Sequence, residues 1–190
     1  MKTTKIMIVG VGGQGTLLAS KILGALFVSR GYDVKVSEVH GMSQRGGSVV
    51  TYVNFGNKVF SPLVDEGEAD FIISFELLEA GRWVKYLGEN GKIIANTQRI
   101  NPMPVITGES VYPDTIIESI KEKNIFVDAV DALALAEKVG SSKVVNVVLL
   151  GRLSRYFDFS EKEWLDIIGQ TVPQKFLSMN VEAFKLGRDS

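Results

Sequence analysis

Short apolar runs alternate along the chain with stretches whose apolar residues recur every three to four positions, the pattern of strands that feed helices. Residues 5–9 (KIMIV) form an unbroken apolar run, as expected of a central strand in a sheet covered on both faces, and lead straight into glycine. Leu17, Leu18, Ile22, Ala25 and Leu26 then fall at helical spacing and predict a helix over residues 14–29, with Arg30 and Gly31 as its stop. Residues 34–39 and 48–55 (SVVTYVNF) read as the second and third strands from their β-branched and aromatic content. Residues 55–60 (FGNKVF) read as a tight turn into a further short strand, and later strands are expected over 69–75, 92–95 and 124–130. Helices are expected over 76–87, 114–121 and 131–139, whereas 101–112, with Pro102, Pro104 and Gly108, reads as a loop with at most a short strand. The end of the chain is helical: 144–153, 161–168 and 173–185. Ser160 and Glu163 have the spacing of a capping box, and Pro173 suits the first turn of the last helix.

This order predicts α/β organisation: a single Rossmann-like domain over 1–190, with a mainly parallel sheet flanked by helices and a helical C-terminal region. The first two loops are expected at the carboxyl ends of neighbouring parallel strands, where α/β sheets carry their sites. At 45% apolar composition the chain buries a real core, and 21 basic against 22 acidic side chains give no general attraction to nucleic acid or to an anionic membrane. It has no cysteine, so it forms no disulfide and supplies no thiolate to an iron-sulfur cluster, which agrees with a reducing, cytoplasmic setting. No stretch of about 20 uninterrupted apolar residues is present, and the N-terminus has no room for a secretory signal before Gly10.

Candidate chemistry gathers in two loops. Gly10, Gly12 and Gly15 complete a G-x-G-x-x-G pattern between strand and helix, with Gly13 and Gln14 inside it, so backbone amides and a helix N-terminus could meet an anion there. That motif alone leaves three readings open: a dinucleotide site, close packing with no ligand, or contact with another anion or partner. Glu38 stands near the place of a ribose-binding acid, yet the polar loop that follows it would crowd a ribose. His40 is the only histidine, so a multi-histidine metal site is excluded within one chain; no metal site is expected, and an organising hydrogen bond suits His40 better than acid-base work. Arg45, between Gln44 and the Gly46-Gly47 pair, offers a rigid fork to a carboxylate or phosphate, or to a salt bridge in an interface. Glu76 and Glu79 serve equally well as first-turn helix charges, Asp128 and Asp131 lack a metal motif, and Asn146 is placed to satisfy buried backbone or to touch a partner. No complete nucleophilic or metal constellation exists, so no catalytic residue is assigned to this chain.

Three segments together carry a family resemblance: Ile8-Val9-Gly10-Val11-Gly12-Gly13-Gln14-Gly15, then Glu38-Val39-His40-Gly41-Met42-Ser43-Gln44-Arg45-Gly46-Gly47-Ser48-Val49, and Asn146-Val147-Val148-Leu149-Leu150-Gly151. The chain resembles the gamma-type domain of 2-oxoacid:ferredoxin oxidoreductases over nearly its whole length. His40-Gly41-Met42-Ser43-Gln44 favours the indolepyruvate branch over the pyruvate one. The resemblance implies a complex that oxidatively decarboxylates an aryl 2-oxoacid, passes electrons to ferredoxin and forms an aryl-acyl-CoA from coenzyme A. It implies a large alpha subunit as partner, holding thiamine diphosphate and the iron-sulfur clusters, with this chain inactive alone. By the same resemblance Gly10, Gly12, Gly13, Gln14 and Gly15 form a structural turn or a CoA-side surface, and Glu38, His40, Ser43, Gln44, Arg45, Gly46 and Gly47 face the partner. A free-standing NAD- or flavin-binding protein and a purely structural interaction protein remain the other readings.

Overall fold

The computed structural model describes residues 3–39 and 47–190. Strand β1 (Thr4–Val11) leads through the glycine turn to helix α1 (Thr16–Ser29), then β2 (Asp33–Val39) and β3 (Ser48–Gly56). Next come β4 (Ala69–Ser74), α2 (Leu77–Trp83), β5 (Leu87–Asn96), α3 (Met103–Ile106), α4 (Ile116–Lys121) and β6 (Phe126–Val130). Helices α5 (Ala132–Lys138), α6 (Val145–Leu153), α7 (Glu161–Thr171) and α8 (Leu177–Asp189) complete the chain.

The strands form one sheet in the order β2-β3-β1-β4-β5-β6. Along β1 the pleat sends Ile6 and Ile8 to one apolar core, shared with α1, α5, α6, α7 and α8. Met7 and Val9 point into the other, closed by α2 and α4. All four are fully buried, which is why the run 5–9 does not alternate in polarity. The glycine-to-helix transition, the strands near 34–39 and 48–55 and the helical end stand as the sequence implies, and the capping box of Ser160 and Glu163 forms.

Other expectations need correction. The first two strands are parallel to each other but not neighbours: β3 lies between β1 and β2, antiparallel to both. With Val39 paired to Val50 and Val11 to Ser48, β3 runs against both neighbours, so the sheet carries an antiparallel edge while staying mainly parallel, through β1, β4, β5 and β6. No strand follows Gly56 at 57–60, where Val59 is held instead by its amide donating to Asp33 at 2.9 Å. The expected helix 76–87 ends at Trp83 and tightens into a 3-10 turn, since Leu87 already pairs with Ala69 in β5. A short helix, α3, stands where a loop was read at 101–112, and Pro173 precedes a 3-10 turn before α8 rather than sitting in the helix. Among the described residues no helix is long and apolar enough to cross a membrane.

Candidate functional site

The chain diverges at the carboxyl ends of β1 and β4: α1 packs on one face of the sheet and α2 on the other, which opens a crevice between the two strand ends. Gln14 spans that crevice. Its Oε1 accepts the Val11 amide at 2.8 Å and its Nε2 donates to the Phe75 carbonyl at 3.0 Å. Asn96, fully buried at the end of β5, donates to the same carbonyl at 3.0 Å, while its Oδ1 accepts the Ala132 amide at the start of α5.

The glycines of the turn answer to packing. A Cβ on Gly10 would stand 2.9 Å from both Gln14 Oε1 and Phe75 Cβ. Gly15 takes φ +84°, and a Cβ there would stand 2.8 Å from Asn146 Nδ2, the atom that donates to the Gly15 carbonyl at 3.2 Å. The Gly12 amide donates to the Gly47 carbonyl at 2.9 Å, so this turn and the entry to β3 lie side by side at one end of the sheet. Gly12 and Gly13 border a cleft of about 320 Å³ toward Val39, Val49 and Thr51, and Gly13 and Gln14 border another of about 500 Å³ toward Gln98, Lys143 and Asn146.

Of the second loop, Glu38 and Gly47 lie within the described residues; His40, Ser43, Gln44, Arg45 and Gly46 lie outside them. Glu38 Oε1 lies 3.3 Å from Ser20 Oγ on α1, where the single Ser20 hydroxyl proton is shared with the Leu17 carbonyl at 3.0 Å. Glu38, near the place of a ribose-binding acid, thus abuts the helix behind its strand.

Sequence reasoning did not find what lies beneath this end. Glu76 and Glu79 are 1% and 3% exposed, more deeply buried than first-turn charges need be. Glu76 caps α2 by accepting the Glu79 amide at 3.0 Å, and its other oxygen accepts the Tyr112 hydroxyl at 2.6 Å and the Ile100 amide at 2.9 Å. Burial, then the bond to Glu76, pushes the Tyr112 hydroxyl well above the ordinary phenol range. Glu79 accepts from the Ser48 hydroxyl, from Trp83 Nε1 at 3.0 Å and from Arg82 Nε at 3.0 Å. The available clue was the Glu76-x-x-Glu79 pair directly after an apolar strand, where a cap and its third residue both face inward. Among the described residues no group of three or more histidine, cysteine, aspartate or glutamate side chains could hold a metal, and the chain has no cysteine for an iron-sulfur cluster.

The chain is thus a mixed α/β domain whose glycine turn is tied to the entry of the neighbouring strand. The keto/oxoacid ferredoxin oxidoreductase gamma subunit from Geobacter sulfurreducens shares this fold, with a TM-score of 0.73, 21% identity, and coverage of 98% of this chain and 96% of that one. The family model described as pyruvate ferredoxin/flavodoxin oxidoreductase matches residues 5–190, and the chain belongs to that family. It is 44% identical to the indolepyruvate oxidoreductase subunit IorB of Thermococcus kodakarensis, over 98% of this chain and 95% of the relative. To the pyruvate/ketoisovalerate oxidoreductases common subunit gamma of Pyrococcus furiosus it is 24% identical, over 77% of this chain and 74% of the relative.

Proposed function

We propose that this chain is the non-cluster subunit of a thiamine-dependent indolepyruvate:ferredoxin oxidoreductase, acting in the cytoplasm on an aryl 2-oxoacid. The observation that carries the reading is the 44% identity to an indolepyruvate oxidoreductase subunit across nearly the full length of both chains. In this reading a large alpha subunit holds thiamine diphosphate and the iron-sulfur clusters, coenzyme A is co-substrate and ferredoxin takes the electrons. Thiamine supplies the carbanion chemistry of decarboxylation. This chain's part is positional: the turn at Gly10, Gly12, Gly13, Gln14 and Gly15 gives a rigid CoA-side surface. Glu38, His40, Ser43, Gln44, Arg45, Gly46 and Gly47 face the partner near its active region.

A free-standing NAD or flavin site is a poorer reading, because Gln14 fills the crevice at the strand ends and the Val11 and Gly12 amides are already engaged. The test is CoA-dependent ferredoxin reduction with indolepyruvate, by the chain alone and after reconstitution with the large subunit. The chain alone gives no turnover and the complex restores it. Arg45→Ala then lowers partner affinity or turnover of the complex roughly tenfold or more while leaving the unfolding midpoint of the lone chain in place, as loss of a charged interface contact does. Turnover by the lone chain, or an Arg45→Ala complex with unmodified affinity and rate, would contradict the reading.

A further inference from the structure

Among the described residues, Glu79 is the buried carboxylate whose hydrogen bonds reach the strand that enters the glycine end of the sheet. Its Oε2 accepts from the hydroxyl of Ser48, the first residue of β3, and from Trp83 Nε1, which itself lies 3.4 Å from Ser48 Oγ. One peptide back from Ser48, the Gly47 carbonyl accepts the Gly12 amide. A continuous path therefore runs from the α2 carboxylate through Ser48 and Gly47 to the glycine turn. Helix α2 is itself fixed from below, since Glu76 ties its first turn to Tyr112 and Ile100.

The chemistry of Glu79 is not that of a simple brace. Among the described residues its cationic partner is Arg82, whose side chain is half exposed, so no ion pair buried on both sides neutralises the charge there. Two neutral donors from different elements, Ser48 and Trp83, converge on a single oxygen instead. An apolar side chain could fill the space, but it could not dictate where the Ser48 hydroxyl lies. The carboxylate borders a cleft of about 240 Å³ shared with Gly47, Ser48 and Arg82.

We infer that Glu79 is a positioning residue: it fixes Ser48, and through Gly47 the register of the glycine turn, so that this end of the sheet meets the partner in one geometry. The inference rests on the functional reading above. Small misplacements of positioning groups translate into large losses of rate. In the reconstituted complex, Glu79→Gln and Ser48→Ala each lower kcat about tenfold while the complex still assembles, and Ser48→Thr, which keeps the hydroxyl, stays within about twofold of the unmodified rate. Because both residues act through one contact, the double variant falls no further than the worse single one.

The structural arm uses the full chain without substrate. It has two tryptophans. The Trp83 indole N–H is bound to Glu79, whereas that of Trp164 has no partner among the described residues. Glu79→Gln moves the Trp83 indole resonance and the Gly12 and Gly47 amide resonances and leaves the Trp164 indole in place. Unmoved Gly12 and Gly47 resonances, or additive losses of kcat in the double variant, overturn the inference. If those resonances move but the unmodified complex does not oxidise indolepyruvate, the functional reading fails and the role in turnover falls with it, while the link from Glu79 to the turn stands.

Discussion

Among the described residues carboxylates are buried in two places, and the two are used differently. At the sheet edge, Asp128 on β6 is held by Arg152 of α6 through Nε and Nη2, at 2.6 to 2.9 Å, and accepts the Tyr156 hydroxyl at 2.6 Å. Both charged side chains are largely buried, so the pair is neutral and closed. Burial, then the bond to Asp128, raises the Tyr156 hydroxyl to about 12. Beneath the glycine turn, Glu76 and Glu79 gather backbone amides, a phenol, an indole and a serine hydroxyl from several segments, with one half-exposed arginine. A closed pair holds helices against a sheet; an open array of neutral donors sets where particular backbone segments lie. The first is expected to govern stability and the second function.

Breaking the closed pair should have the largest effect on folding. Asp128→Ala leaves Arg152 buried without its partner and is expected to cost about 3–5 kcal/mol in unfolding by denaturant. The rate per assembled complex should stay unchanged. A loss of rate with stability intact would erase the distinction from Glu79, whose variants are expected to do the reverse.

A smaller effect comes from a surface carboxylate that belongs to neither class. Glu163 is gripped by Arg30 through two bonds of 2.7 and 2.9 Å and closes the capping box with Ser160. The Arg30 guanidinium, then Ser160, depress its carboxyl to about 2 from an ordinary 4.5. A depressed carboxylate stabilises the fold fully above its unfolded pKa and loses that contribution as pH falls through the folded one. Stability should therefore decline between about pH 4.5 and 2, and in Glu163→Gln the decline over that window should be shallower, as thermal melts at successive pH values would read.

The layering was legible in the sequence because β1 reads as a run buried on both faces and α1 as a helix starting at a glycine turn. The position of β3 was not. An apolar run carries no sign of direction or of neighbour, and the pairings that make β3 antiparallel to both β1 and β2 join residues far apart in sequence. The glycines were legible as a motif but not in their purpose, because the contacts that require them, Phe75 to Gly10 and Asn146 to Gly15, come from far along the chain. Gln14 was legible only as a residue inside that motif, and it donates to backbone of its own chain. Glu76 and Glu79 could be read equally well as first-turn helix charges, because burial of a carboxylate depends on donors such as Tyr112 and Trp83 whose arrival no local pattern announces.

The central claim is that this chain works through the end of the sheet where Gly12 meets Gly47. Amide hydrogen exchange of the full chain, free and bound to the large subunit, tests it most directly. The account expects protection gained on binding at residues 12–16 and 47–51, with the opposite end, around residues 57–68, exchanging as in the free chain. Protection confined to 57–68, with 12–16 and 47–51 unchanged, would contradict it.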